Sequence, residues 1–228
     1  MLPARLMLLD RIRLVLDKSL QIDGAERDDF VAKVKLVAKV VQYNSDTANK
    51  PYGASVIKYS GEEEKEIENA LARLESFDGL SIKSKIMTAS PLVSSVIGRT
   101  DSKVIAYGRS EIVVHASAEE VMAFMWHFSA RVRMKENDLE KTVVEAKNLH
   151  HIIGYVCKKG THNKGILNLL PREGLSSNVW KIMEDKSLVM AATPTAHKDR
   201  GITEERVRVK LPFTVKLEPQ SEDRCKLI

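Results

Sequence analysis

Between Val104 and Phe128 the hydrophobic pattern changes period. Val104, Ala106, Gly108 and Ser110 alternate with Ile105, Tyr107, Arg109 and Glu111, and Ile112 to Val114 is β-branched, which predicts a strand. Ser117 followed three residues later by Glu120 predicts a capping box, and Glu119 and Glu120 place negative charge at the positive end of the helix dipole. Val121, Phe124, Met125 and Phe128 then fall at i, i+3, i+4 and i+7, the stripe of an amphipathic helix.

Upstream the period is helical. Leu2, Leu6, Leu9, Leu16 and Leu20 predict a helix over 4–20, and Phe30, Val34, Val37 and Val41 a second over 27–43. Asn, Ser, Asp, Pro and Gly over 44–59 predict a loop. Ser60 and Glu63 form another capping box, ahead of the stripe Ile67, Leu71, Leu74 and a stop at Gly79. Glu62 to Glu64 therefore read as dipole compensation, not as a metal site.

Downstream the period is that of strands. The 91–98 run and the strand from Lys103 flank a turn at 99–102. Two further hairpins turn at 147–148 and at 184–186. Over 207–217, Val207, Val209, Leu211, Phe213, Val215 and Leu217 share the predicted inner face, with Arg206, Arg208 and Lys210 on the outer one. Pro212 predicts an edge or a bulge there, and Cys225 and Leu227 begin one more strand. Helices first and antiparallel strands after predict an α+β fold, with a helical region over 1–88 and a sheet domain over 89–228.

Composition changes this picture little. The chain has 228 residues, 43% hydrophobic, and no apolar run long enough to span a membrane. The net charge of +5 comes mostly from residues 101–228, without a block of like charge. It predicts no specific nucleic-acid partner and at most a transient anionic membrane surface. Cys157 and Cys225 have neither CxxC nor zinc spacing, so free thiols and a cytoplasmic location are expected.

No dinucleotide, phosphate-loop, zinc-protease or nucleophile-elbow motif appears, so neither enzyme nor cofactor is expected. His150 and His151 are adjacent, and rings on opposite faces of a strand suit no single metal. His151 and Cys157 share a face, but lack a third group to orient them. The large soft residues Trp126, Phe128, Trp180, Met183, Met190 and Phe213 fit two readings: a dry core, or the lining of an apolar ligand cavity.

Four phrases in order, HASAEEVMAFMWHF, PREGLSSNVWK, SLVMAATPTAH and ERVRVKL, resemble the START family, the steroidogenic-acute-regulatory-protein-related lipid-transfer domains. Pro171 and Arg172 match the family's Pro-Arg-Asp-aromatic turn, with Glu173 for Asp and Gly174 for the aromatic. Arg208 matches a later aliphatic-Arg-aliphatic step, and the resemblance suggests that a carboxylate holds it. Asn178 stands where some sterol-binding members carry a cavity Arg. The resemblance implies a helix-grip fold, a curved antiparallel sheet around a C-terminal helix with a lipid tunnel between. The sequence stops one strand into the region preceding that helix, so a domain cut short is expected. It also implies a non-enzymatic module for a sterol, phospholipid or similar amphiphile, within a larger regulatory protein. Arg172, Asn178, Trp180, Met183, Met190, Arg208 and Phe213 are the expected ligand-binding residues. The alternative is a START-like scaffold that no longer binds lipid and meets a protein partner through residues 1–88.

Overall fold

The computed structural model describes residues 58–80, 82–88, 90–100, 106–128, 138–160, 162–163, 167–168 and 170–228. The helices expected over 4–20 and 27–43 and nearly all of the 44–59 loop lie outside them. The described elements are α1 (Gly61–Asp78), β1 (Ile82–Ile86), β2 (Ser94–Arg99), β3 (Ala106–Val114), α2 (Ala118–Trp126), β4 (Asp138–Asn148), β5 (His151–Lys158), β6 (His162–Asn163), β7 (Leu167–Asn168), β8 (Arg172–Ile182), β9 (Leu188–Pro194), β10 (Val207–Arg208), β11 (Phe213–Ser221) and β12 (Arg224–Leu227). The fold is α+β, with strands hydrogen-bonded in the order β1-β2-β3-β12-β11-β9-β8-β5-β4 and β10 beside β8. The sheet is not closed into a barrel, and β6 and β7 pair separately.

The chain divides into two compact units, and β8 and β9 run through both. The first contains residues 122–177 and 194–211; the second contains 59–121, 178–193 and 212–228.

In the second unit α1 begins as its sequence dictates. The Ser60 hydroxyl accepts from the Glu63 N–H, and the Glu63 carboxylate accepts from the Ser60 N–H at 2.7 Å. Gly79 ends the helix in a right-handed conformation, its N–H donating to the Phe77 carbonyl. Ile67 and Ala70 bury against Val179, Val189 and Ala191, with Leu71 and Met183 at the margin. β1 lies in the stretch that reads as helical and pairs antiparallel with β2. Its IKSKI sequence is too short and polar to announce a strand; pairing with β2 supplies the order that propensity does not. The β2–β3 hairpin follows the expected pattern, Val96 opposite Arg109 and Ile97 opposite Gly108.

α2 is capped as expected. The Ser117 hydroxyl accepts from the Glu120 N–H at 3.2 Å, and the Glu120 carboxylate accepts from the Ser117 N–H at 2.7 Å. Its stripe is not the expected one. Ala118, Met122, Ala123 and Trp126 are buried, while Val121 and Met125 are half-buried and Phe124 is exposed. The helix is apolar almost all round from Val121 to Trp126, so spacing alone cannot fix which side faces inward.

In the first unit the β4–β5 turn falls at Leu149–His150, two residues beyond the expected place, and the Asn148 side chain accepts from the His150 N–H. Asn148 therefore ends the strand rather than making the turn. His150 thereby sits in the turn, not on the strand, and both His150 and His151 are buried.

The largest correction concerns 207–217. It is not one strand. β10 pairs parallel with the start of β8, Arg208 beside Glu173, and β11 starts only after Pro212. Val215 and Leu217 are buried as expected, but Val207, Val209, Leu211 and Phe213 are exposed. In β10 Arg208 faces inward, held by the buried Glu173 carboxylate at 2.7 Å, and Val207 is left exposed.

Candidate functional site

Two arrangements bring chemistry-bearing residues together, one in each unit.

The first is a polar network on one face of β5 and β8. His151, Ile153, Tyr155 and Cys157 share a face of β5; Glu173, Leu175 and Ser177 share a face of β8. His151 Nε2 lies 2.8 Å from Ser177 Oγ, and the Tyr155 hydroxyl donates to Glu173 at 2.6 Å, while Ile153, Tyr155, Cys157 and Leu175 cluster as core. Arg208 donates from Nε to the other Glu173 oxygen at 2.9 Å and from Nη2 to the Arg200 carbonyl at 2.9 Å. Arg206 Nη1 donates to the Tyr155 hydroxyl at 2.7 Å, and the Arg200 guanidinium stands 4.3 Å from the Tyr155 ring centre while pairing with Glu140.

The electrostatics follow from this geometry. Burial pushes the Tyr155 phenol up to about 12, aided by its bond to Glu173 and opposed by Arg206. Burial also acts upward on Glu173, but the Tyr155 hydroxyl and the Arg208 guanidinium outweigh it and hold the carboxyl below the usual range. Both Glu173 oxygens are committed, and the phenol stays protonated at neutral pH. The network is therefore a brace that fixes β10 to β8, not an acid–base pair. It answers the expectation that a carboxylate holds Arg208. Glu140, Tyr155 and Arg200 were not singled out from the sequence, and Arg206 was read only as an outward-facing residue; Tyr155 and Arg206 are separated by 51 residues. A tyrosine inside the otherwise apolar β5 run is the signal that could have pointed to a buried partner.

The second arrangement is the sheet face of the second unit opposite α1. Val179, Val189 and Ala191 point to α1, so Asn178, Trp180, Leu188, Met190 and Ala192 point the other way. The β9–β11 register puts Phe213 beside Ala192, Val215 beside Met190 and Leu217 beside Leu188. Cys225 continues the face on β12, and burial together with the charges of Glu119 and Glu120 at the start of α2 pushes its thiol up to about 11. The result is a broad apolar face of Trp180, Met190, Val215, Leu217 and Cys225 with one buried amide, Asn178, among them. Such a surface suits a large amphiphile with few polar groups.

Four of the expected ligand-binding residues, Asn178, Trp180, Met190 and Phe213, thus share one face, with Phe213 at its exposed margin. The other three do not join them. Met183 packs on the α1 side. Arg208 belongs to the Glu173 brace in the first unit, and Arg172 is exposed at the start of β8 in the same unit. The α1 side also bears a cleft of about 470 Å³ between Leu71, Met183, Lys181 and Lys216. Lys181 pairs with Glu64 and Lys216 with Glu218, so this cleft is lined by neutralised charge and suits an apolar ligand poorly. Among the described residues no group of His, Cys, Asp and Glu side chains could hold a metal ion, and no helix is long and apolar enough to cross a membrane.

No protein-family model matches the sequence, and no curated protein sequence does. Solved structures do. Human StAR-related lipid transfer protein 5 superposes with a TM-score of 0.56 at 17% identity, over 74% of this chain and 80% of its own. Human STARD10 superposes at 0.57 and 11% identity, over 77% of this chain and 68% of its own. A STAR-related lipid transfer protein from Xanthomonas axonopodis superposes at 0.53 and 12% identity, over 64% of this chain and 77% of its own.

Proposed function

Starting from a START-type helix-grip fold, we propose that this chain is a non-enzymatic lipid-binding module for a sterol, a phospholipid or a similar amphiphile. The carrying observation is the likeness to lipid-transfer structures over about three quarters of the chain. The apolar face of Trp180, Met190, Val215 and Leu217 supports it, because this face has the chemistry a hydrocarbon ligand needs. Affinity would come from apolar burial, roughly 25 cal/mol per Å² before the costs of ordering. Asn178, buried on that face, is the residue we assign to the ligand's polar group. Arg208 has no such role in this reading, since Glu173 already occupies it. We further infer a reducing, cytoplasmic setting from the two buried free cysteines.

A second reading keeps the fold without the ligand: a scaffold that meets a protein partner through residues 1–88. Trp180 and Leu217, fully buried, favour it, since side chains already enclosed need no ligand to cover them. Neutral vesicles of phosphatidylcholine and sterol separate the two. The chain is incubated with them, the vesicles are floated away and the protein fraction is extracted. The module retains one class of amphiphile at one molecule per chain; the scaffold returns lipid-free.

A further inference from the structure

We propose that the β1–β2 hairpin is a docking element for anionic membrane surfaces, which it meets with an apolar apex backed by lysine. Residues 82–99 contain Lys83, Lys85 and Arg99 and no carboxylate. At the apex Met87 is 98% exposed and Leu92 is 74% exposed, with Ile86 partly exposed beside them. Exposed apolar side chains scattered singly need no explanation, but these three gather at one end of a hairpin, as interaction patches do.

The apex is built rather than loose. The Thr88 hydroxyl lies 2.6 Å from the Ser90 carbonyl and 2.9 Å from the Val93 carbonyl, and the Val93 N–H donates to the Ser90 carbonyl at 3.2 Å. Met87 and Leu92 are therefore flanked by residues tied to one another by hydrogen bonds, which lowers the entropy lost on insertion.

Charge complementarity selects the occupant. Lys83 and Lys85 alternate onto one face of the edge strand β1, and both are exposed. Lys85 is roughly 7 Å along the strand from Met87, and Lys83 roughly 13 Å. Lys85 thus lies within the screening length of about 8 Å at physiological salt, whereas Lys83 lies well beyond it and donates to the Asp78 carbonyl at 2.6 Å, so Lys85 is the lysine that acts at the apex. Nearby carboxylates are engaged elsewhere: Asp78 with Arg109, and Glu111 with Arg109 and Lys226. Inserted Met87 and Leu92 would place Lys85 at the level of lipid phosphates and carboxylates. An apolar protein groove would have no use for the lysines, and a second copy of the chain would meet the same positive charge. The inference does not depend on the apolar face of the sheet or on any ligand there.

Flotation of the full 228-residue chain with phosphatidylcholine vesicles, with and without about a third of phosphatidylserine, tests this. The wild type should float with the anionic vesicles and much less with the neutral ones. Met87→Asp/Leu92→Asp should bind about tenfold more weakly or worse, because two buried apolar side chains are lost. Lys85→Glu should weaken binding at low salt, with the difference vanishing at high salt. Thermal melts should be unchanged; if the double aspartate variant melts early, Met87→Ser/Leu92→Ser replaces it. Equal flotation with both vesicle types, or serine and aspartate variants that bind like wild type, overturns the proposal. So does a concentration-dependent dimer that the apex variants abolish, which would make the apex a self-association surface.

Discussion

Ser117 and Glu120 exchange two hydrogen bonds at the start of α2, and Ser117 is buried, so water cannot replace its hydroxyl. Ser117→Ala should cost about 1 kcal/mol. Equilibrium urea unfolding reads this as a lower midpoint at constant slope; an unmoved midpoint would remove Ser117 as a cap. Glu173 makes a different prediction. Its folded pKa is depressed, so its contribution is full above the unfolded value of about 4.3 and is lost as pH falls through the folded one. Glu173→Gln should cost about 3 kcal/mol at neutral pH, since Arg208 is left buried without its carboxylate. The variant should also lose part of the wild type's acid-side decline in stability. A parallel pH profile for wild type and variant would mean that Glu173 is not the titrating group. Both capping boxes were legible in the sequence because donor and acceptor lie three residues apart. The brace was legible only at its Arg208 end, and that through family resemblance. Tyr155 and Glu173 lie 18 residues apart on different strands, and only the pairing of those strands brings them together.

At the scale of elements, the alternation over 207–217 was real but marked two elements instead of one. Pro212 has no N–H to continue a ladder, and the chain passes there from the edge of β8 to pair with β9. The inner face follows the expected period only after that break. Leu211→Ser should therefore change stability by less than about 0.5 kcal/mol, whereas Leu217→Ala should cost about 2–5 kcal/mol. Denaturant titration of both variants checks the pair, and comparable losses would restore a single continuous strand. The hairpin of β8 and β9 was fully legible, because a polar Glu-Asp-Lys turn separates two apolar runs. There Lys186 takes a left-handed φ of 66° and Asp185 accepts from the Ser187 N–H and hydroxyl. α2 shows the opposite limit. With Val121 to Trp126 apolar throughout, its inward side is set by what it packs against, and the sequence carries little of that information.

At the scale of the molecule, the order of elements and four short phrases led to the START-type fold, and similarity to lipid-transfer structures at 11–17% identity supports the same fold. Large, soft side chains and the family resemblance made Trp180, Met190 and Phe213 candidate ligand contacts, and strand alternation and register put them on one face. Met183, just past the end of β8, lies instead on the α1 side, packed against the cluster of Ile67, Ala70, Val179, Val189 and Ala191. We propose that this face holds a lipid. Native mass spectrometry of the freshly purified 228-residue chain tests it most directly. A face that holds a lipid gives a second species heavier by the mass of one sterol or phospholipid, which collisional activation converts to the bare chain. A bare chain alone, in every preparation and after incubation with sterol and phospholipid, would contradict it.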